Sequence, residues 1–310
     1  MKKIKLLVIM LLGCYSISYS NGLTLSNISV NQAAGTVSFN VRWYNSWRVG
    51  GEPKNWDAVW IFVKFRLCSA PTTVEFTHGL VDSDTTQHTF NNLSPVKSNG
   101  VAGIDSDRKG VLLRRESAGV YSSPSATNIV LKLTNLPATG DLDVRVFGIE
   151  MVYVPEGSFY LGDGTTTITD AQFKTSSTNT DPILVTSENT LSVYTEGSAT
   201  NSTYPFYAIS GRDTIPAVFP KGYAAFHIMK YEITEQQYAD FLNTIPSQHW
   251  GVRYLGNYGS YRNRLINGGT YPNFYYTTRP YRAQNYLSWA DITAFLDWAC
   301  LRPMTEMEFE

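Results

Sequence analysis

Charge and cysteine are what this chain has least of. Only 16% of its 310 residues are charged, and the formal net charge is −1. A chain so balanced lacks the basic footprint that a nucleic-acid partner calls for, so no nucleic acid is expected. There are three cysteines, Cys14, Cys68 and Cys300, too few and too widely spaced for a disulfide framework or a thiolate metal site. A Cys68–Cys300 bridge is open to an oxidising compartment, but two separate small apolar side chains is the favoured reading. The four histidines, His78, His88, His227 and His249, form no pair at helical spacing, so none is assigned to a metal. No apolar run reaches the roughly 20 residues that cross a bilayer, so no transmembrane segment is expected.

The N-terminus reads as an export signal, residues 1–20. Lys2, Lys3 and Lys5 precede a short apolar run, Leu6 to Leu12, and Ser18 and Ser20 stand where a signal peptidase reads small side chains. Leu11-Leu12-Gly13-Cys14 also approximates a lipoprotein box, with a Leu bulkier than usual before Gly13. Cleavage near Ser20 is favoured over lipidation of Cys14. On either route the mature chain is exported, to the periplasm, the outer surface or beyond.

Aromatic residues, by contrast, are plentiful at 14%, including 20 tyrosines and 7 tryptophans. Residues 21–150 alternate as antiparallel sheet does. Leu23, Leu25, Ile28 and Val30 begin the pattern, and Val37, Phe39, Val41 and Trp43 repeat it. Trp56 to Phe65 is apolar on both faces, which predicts a central strand. Val111 to Arg115, Ile129 to Leu133 and Leu142 to Phe147 add strands between turn residues, so this stretch is expected to be a β-sandwich module. Asp105-x-Asp107-x-Lys109-Gly110, with Glu116 beyond, copies part of a calcium-loop spacing. Lys109 puts a cation where a third oxygen ligand belongs, so a polar turn into Val111 is favoured.

Residues 151–310 read differently. Met151 to Phe159 suggests a strand entering a turn, and Thr165 to Tyr204 is rich in Ser, Thr and Asn, too polar to bury much core. Phe226 to Glu232 predicts a strand. Three hydroxyl caps follow, each with an acid or amide three residues on: Thr234 with Gln237, Ser288 with Asp291, Thr305 with Glu308. In such a box the hydroxyl accepts from the third amide while the longer side chain reaches back to the cap's own amide. Behind them Tyr238, Phe241, Leu242 and Ile245, and then Trp289, Ile292, Phe295, Leu296 and Ala299, recur at helical spacing, with Trp298 also assigned to the core. Pro246 stops the first helix. The third helix has barely opened at Glu310, too short to bury Met307 and Phe309, and on that ground the sequence is expected to be truncated there. Glu232 is a candidate partner for Arg302.

Three blocks, MVYVPEGSFYLG, FHIMKYEITEQQYADFLN and NYLSWADITAFLDWACLRPMTEMEFE, resemble successive blocks of the formylglycine-generating enzyme family, the sulfatase-modifying-factor domain. The resemblance covers the front part of the family's domain. It implies an incomplete C-type-lectin-like domain at 151–310, which behind the β-sandwich expected for 21–150 makes an α+β chain. It also implies that a complete parent oxidises a cysteine to formylglycine with oxygen and copper(I), which two soft thiolates hold. In the family that cysteine pair and the calcium-binding residues lie beyond the block that ends here at Glu310. Neither Cys68 nor Cys300 matches them, so no catalytic, cofactor or metal residue is assigned, and the chain itself is expected to be inactive. The alternative is a non-catalytic binding or scaffold module of a bacterial cell-surface assembly. The Tyr- and Arg-rich run 249–286 is a candidate surface for a polypeptide or glycan, with a loop packed by its own rings as the favoured reading.

Overall fold

The computed structural model describes residues 22–162, 164, 173, 179, 181–195, 211–254 and 264–310. The expected signal segment 1–20 lies outside them. Strand exceeds helix, 37% to 13%, and among the described residues every strand pairing is antiparallel. The fold is α+β and sandwich-like.

The front half supplies β1 (Thr24–Asn31), β2 (Thr36–Arg42), β3 (Ser46–Arg48), β4 (Trp56–Leu67), β5 (Thr77–His78), β6 (Leu93–Val96), β7 (Val111–Arg115), β8 (Gly119–Tyr121), β9 (Thr127–Lys132) and β10 (Leu142–Val154). There follow β11 (Phe159–Leu161), β12 (Ile183–Val185), β13 (Leu191–Thr195), β14 (Gly211–Ile215), β15 (Phe226–Met229), α1 (Glu235–Leu242), α2 (Trp250–Arg253), β16 (Leu265–Asn267), β17 (Tyr275–Thr277), α3 (Trp289–Trp298) and α4 (Glu306–Phe309). β1, β2 and β9 form one sheet. An eight-stranded sheet runs β15-β10-β4-β3-β8, with β5 and β7 also on β4 and β6 on β7.

β4 is central, as its two apolar faces predict, and only Leu67 of its twelve residues is exposed. Alternation sends Val59, Ile61 and Val63 into one core and Ala58, Trp60 and Phe62 into another. The first core is the sandwich interior, closed by Val37, Phe39, Val41, Ile129 and Leu131 of the small sheet. The second is closed by helices: Phe62 packs on Phe147 at 5.2 Å and on Trp298 at 5.1 Å, and Phe241 meets Trp298 at 5.7 Å. The expected boundary between residues 150 and 151 therefore falls inside β10, and the two stretches share a core across β4 and β10.

All three expected capping boxes form. Thr234, Ser288 and Thr305 each accept from the third amide of α1, α3 and α4, and Gln237, Asp291 and Glu308 reach back to the cap amides. α1 ends at Asn243, three residues before Pro246. Two expectations about the helices change. Trp289, expected in the core, is 67% exposed, because α3 turns Asp291, Phe295, Leu296 and Trp298 inward and its first residue outward. Met307, expected unburied, is only 3% exposed, packed with Leu161, Ile183, Val185 and Val193, while Phe309 stays 68% exposed. That small cluster also corrects the reading of 165–204. Much of this stretch lies outside the described residues, yet Ile183 and Val185 sit at alternate strand positions and are buried despite the polar neighbours.

Replacing Phe62 with Ala should cost about 3–5 kcal/mol of stability, since it empties space between sheet and helices. Denaturant unfolding read by tryptophan fluorescence and by far-UV dichroism should give one coincident transition. Two separated transitions would count against a shared core.

Candidate functional site

The site is a groove of about 1360 Å³ between the β15 edge and the helical side of the molecule. One wall is Phe226 to Ile233. The other is the outer face of α3, with Ile292 and Leu296, followed by Cys300 to Glu306; Trp60, Leu112 and Met151 lie deeper. Ser98, Asp105 and Asp107 close one end.

Each wall is held by bonds that reach into the cores. Trp60 Nε1 donates to the Ala299 carbonyl at 2.8 Å, tying the end of α3 to β4. There α3 stops by a left-handed residue: Cys300 has φ 56°, its amide bonds Asp297 O at 3.0 Å, and the Leu301 amide bonds Leu296 O at 2.8 Å. This is a helix C-terminal reversal in which Gly usually holds the left-handed position. It turns residues 301–305 back along the groove, and Thr305 Oγ1 then donates to Pro220 O at 3.0 Å. Arg302 pairs with Glu308 at 2.5 Å, not with Glu232, which is exposed. The correction has a local cause, for Glu308 is already brought to that place by the Thr305 capping box.

The β15 wall is anchored by a buried charge cluster. Lys230 Nζ lies 3.0 Å from Asp57 Oδ2 and 3.3 Å from Glu150 Oε2. Asp57 is fully buried and also accepts from Trp43 Nε1 at 3.1 Å, Ser46 Oγ at 2.8 Å and the Trp47 amide at 3.0 Å. Burial opposes the Lys230 charge, but Asp57 and Glu150 outweigh it and hold the ammonium pKa above its ordinary value. Burial raises the Glu150 pKa, and Lys230 offsets this only in part. Sequence reading passed over this trio; its one signal was an Asp inside the apolar run Trp56 to Phe65.

Two histidines border the same region. His227 Nδ1 lies 2.9 Å from Ser98 O, and His78 Nδ1 lies 3.5 Å from Cys300 Sγ. Burial pushes both imidazoles down to about 4. Burial also pushes the Cys300 thiol up, against the pull of Lys109 and Lys64. The pair therefore rests as neutral thiol beside neutral imidazole, not as a thiolate nucleophile. Cys68 and Cys300 are both free, and Cys68 is exposed.

Among the described residues no three His, Cys, Asp or Glu side chains are placed to hold a metal ion. The Asp105–Gly110 stretch is a turn into β7: Asp105 accepts from the Ser98 amide at 2.8 Å, and a Cβ on Gly110 would lie 2.5 Å from Ile61 O. Packing against β4 thus accounts for that glycine. In the aromatic run 249–286, residues 255–263 lie outside the described ones. Trp250 packs on Phe274 at 5.0 Å and Tyr254 on Tyr275 at 5.0 Å, against the helical core, while Arg253 pairs with Asp291 at 3.0 Å. Tyr271, Tyr276 and Tyr281 remain exposed. No described helix is long and apolar enough to cross a membrane. No family model, curated protein or solved structure matches the chain.

Lys230→Ala should cost about 3–5 kcal/mol by leaving Asp57 and Glu150 buried without their cation. Acidification is a second test. The unfolded chain takes up protons at ordinary histidine pKa values, near 6.5, whereas the fold keeps His78 and His227 neutral down to about 4. Stability should therefore fall between those limits as pH drops, by about 1–3 kcal/mol per imidazole. Denaturant midpoints followed across this range should fall about half as steeply in His227→Gln, with His78 supplying the remainder.

Proposed function

We propose that this chain is the binding or scaffold part of an exported bacterial surface protein, and that its groove receives a polypeptide. The observation that carries the reading is the groove itself: about 1360 Å³, open, and rimmed by Trp289, Met304 and Phe309, all exposed large apolar side chains. Exposed apolar side chains gathered at the mouth of a concave site are the usual marks of an interaction surface. In this reading residues 151–310 form a formylglycine-generating-enzyme-like, C-type-lectin-like unit built onto the sandwich. The three boxed helix starts and the sparse regular structure between them support that resemblance.

Cysteine oxidation is the competing reading, as the activity of a complete parent with copper and calcium. It needs two thiolates side by side. In this chain the Cys300 thiol faces His78 and is kept neutral by burial, which favours binding over oxidation.

Two measurements test the choice. Incubated with copper(I), oxygen and a cysteine-containing peptide, the purified chain should leave the peptide mass unchanged; conversion to formylglycine would reverse the reading. A displayed peptide library selected on the same chain should enrich clones that bind Trp289→Ala/Phe309→Ala about tenfold more weakly, as expected when two exposed apolar anchors are removed.

A further inference from the structure

The groove has a sheet edge for one wall. β15 ends the eight-stranded order and, among the described residues, is bonded on one side only, to β10. The register pairs Val152 with Ile228, and the Lys230 amide donates to Glu150 O at 2.9 Å. Antiparallel alternation then turns the amides and carbonyls of Phe226, Ile228 and Lys230 towards β10, and those of His227 and Met229 to the open side. Among the described residues no backbone hydrogen bond reaches His227 or Met229 from that side.

Exposed edges are normally guarded by a lysine, a proline or a bulge. Phe226–Met229 has none of the three, and its pairing with β10 is regular. Lys230, next in line, is no guard, because its ammonium is turned inward onto Asp57 and Glu150. Across the groove, Ile292, Leu296 and Leu301 offer an apolar surface. The charges of Arg302 and Lys230 are spent on their own partners, whereas Asp107, Glu232 and Glu306 line the groove with no ion pair among the described residues. The site is thus a strand edge with an apolar far wall and an acidic rim.

We infer that an extended segment of a partner polypeptide adds as a new strand to the outer edge of β15, placing alternate apolar side chains against α3 and basic ones towards Asp107, Glu232 and Glu306. The inference rests on the binding-module reading and specifies its partner. Main-chain bonds to His227 and Met229 would supply the affinity, and the period-two alternation of the guest would supply the selectivity. Burial of His227 keeps its ring neutral, so it adds no cation to oppose a basic guest.

The test uses a fluorescein-labelled alternating Val-Lys peptide, read by anisotropy on the full chain. Saturable binding is expected. The same peptide N-methylated at alternate residues cannot bond a strand edge and should bind about tenfold more weakly, as should the Val-Glu analogue. Met229→Pro deletes an outward amide at an edge position where proline is tolerated, and should weaken the Val-Lys peptide to a similar degree, beyond the loss seen in Met229→Ala, which removes the same core contact but keeps the amide. Equal binding of the N-methylated peptide overturns strand addition, and because that arm leaves the protein intact it holds even if Met229→Pro fails to fold. Self-association abolished by Met229→Pro would overturn the inference in favour of a second copy of the chain. Library clones sensitive to Trp289 but indifferent to Met229→Pro and N-methylation would sink strand addition alone; no binding in either experiment would sink the binding-module reading too.

Discussion

Burial of both faces of one strand is the constraint on which this molecule turns. A sheet that covers β4 on one side leaves Trp60 and Phe62 facing outward, and those rings are too large to leave in water. Full burial of such side chains is worth about 1.5–3 kcal/mol each, so whatever closes that face is bound tightly into the fold. Here the helices α1 and α3 close it, with Phe241, Phe295 and Trp298 as the contacting rings. The sandwich and the helical part are consequently two coverings of one layer, and the groove opens where the second covering stops short of the sheet's last strand.

The same logic fixes the polar side chains. Asp57 sits on the sandwich side of β4, between apolar neighbours, and is tolerable only because it accepts from Trp43, Ser46, Trp47 and Lys230. Lys230 in turn brings β15 into register with β10 and β4. Electrostatics at this point locate an element, and the groove inherits its shape from that location.

Much of this was legible in the residues. The two-faced apolar run Trp56 to Phe65 announced the central strand, and the spacing of Thr234, Ser288 and Thr305 to their partners announced each helix start. These signals are local, and local signals survive folding. What escaped notice is set by contacts between distant segments. Trp289 has the spacing of a core residue but sits on the first turn, where the neighbouring layer ends. Arg302 has the distant Glu232 as its candidate partner, and the turn geometry chooses Glu308 instead. The groove could not be read at all, because it is defined by an edge left unpaired among the described residues and by a helix brought across from 60 residues away in sequence (roughly the span from Met229 to Trp289).

Lys230 neutralises carboxylates contributed by two different strands, and one of them also holds an indole and a hydroxyl. Such an arrangement binds positions 57, 150 and 230 into a single unit of inheritance. A descendant that exchanged the lysine for an apolar residue would keep two stranded acids until both were lost as well. Substitution at these three sites should be concerted across related chains, while the exposed residues along the neighbouring rim drift independently.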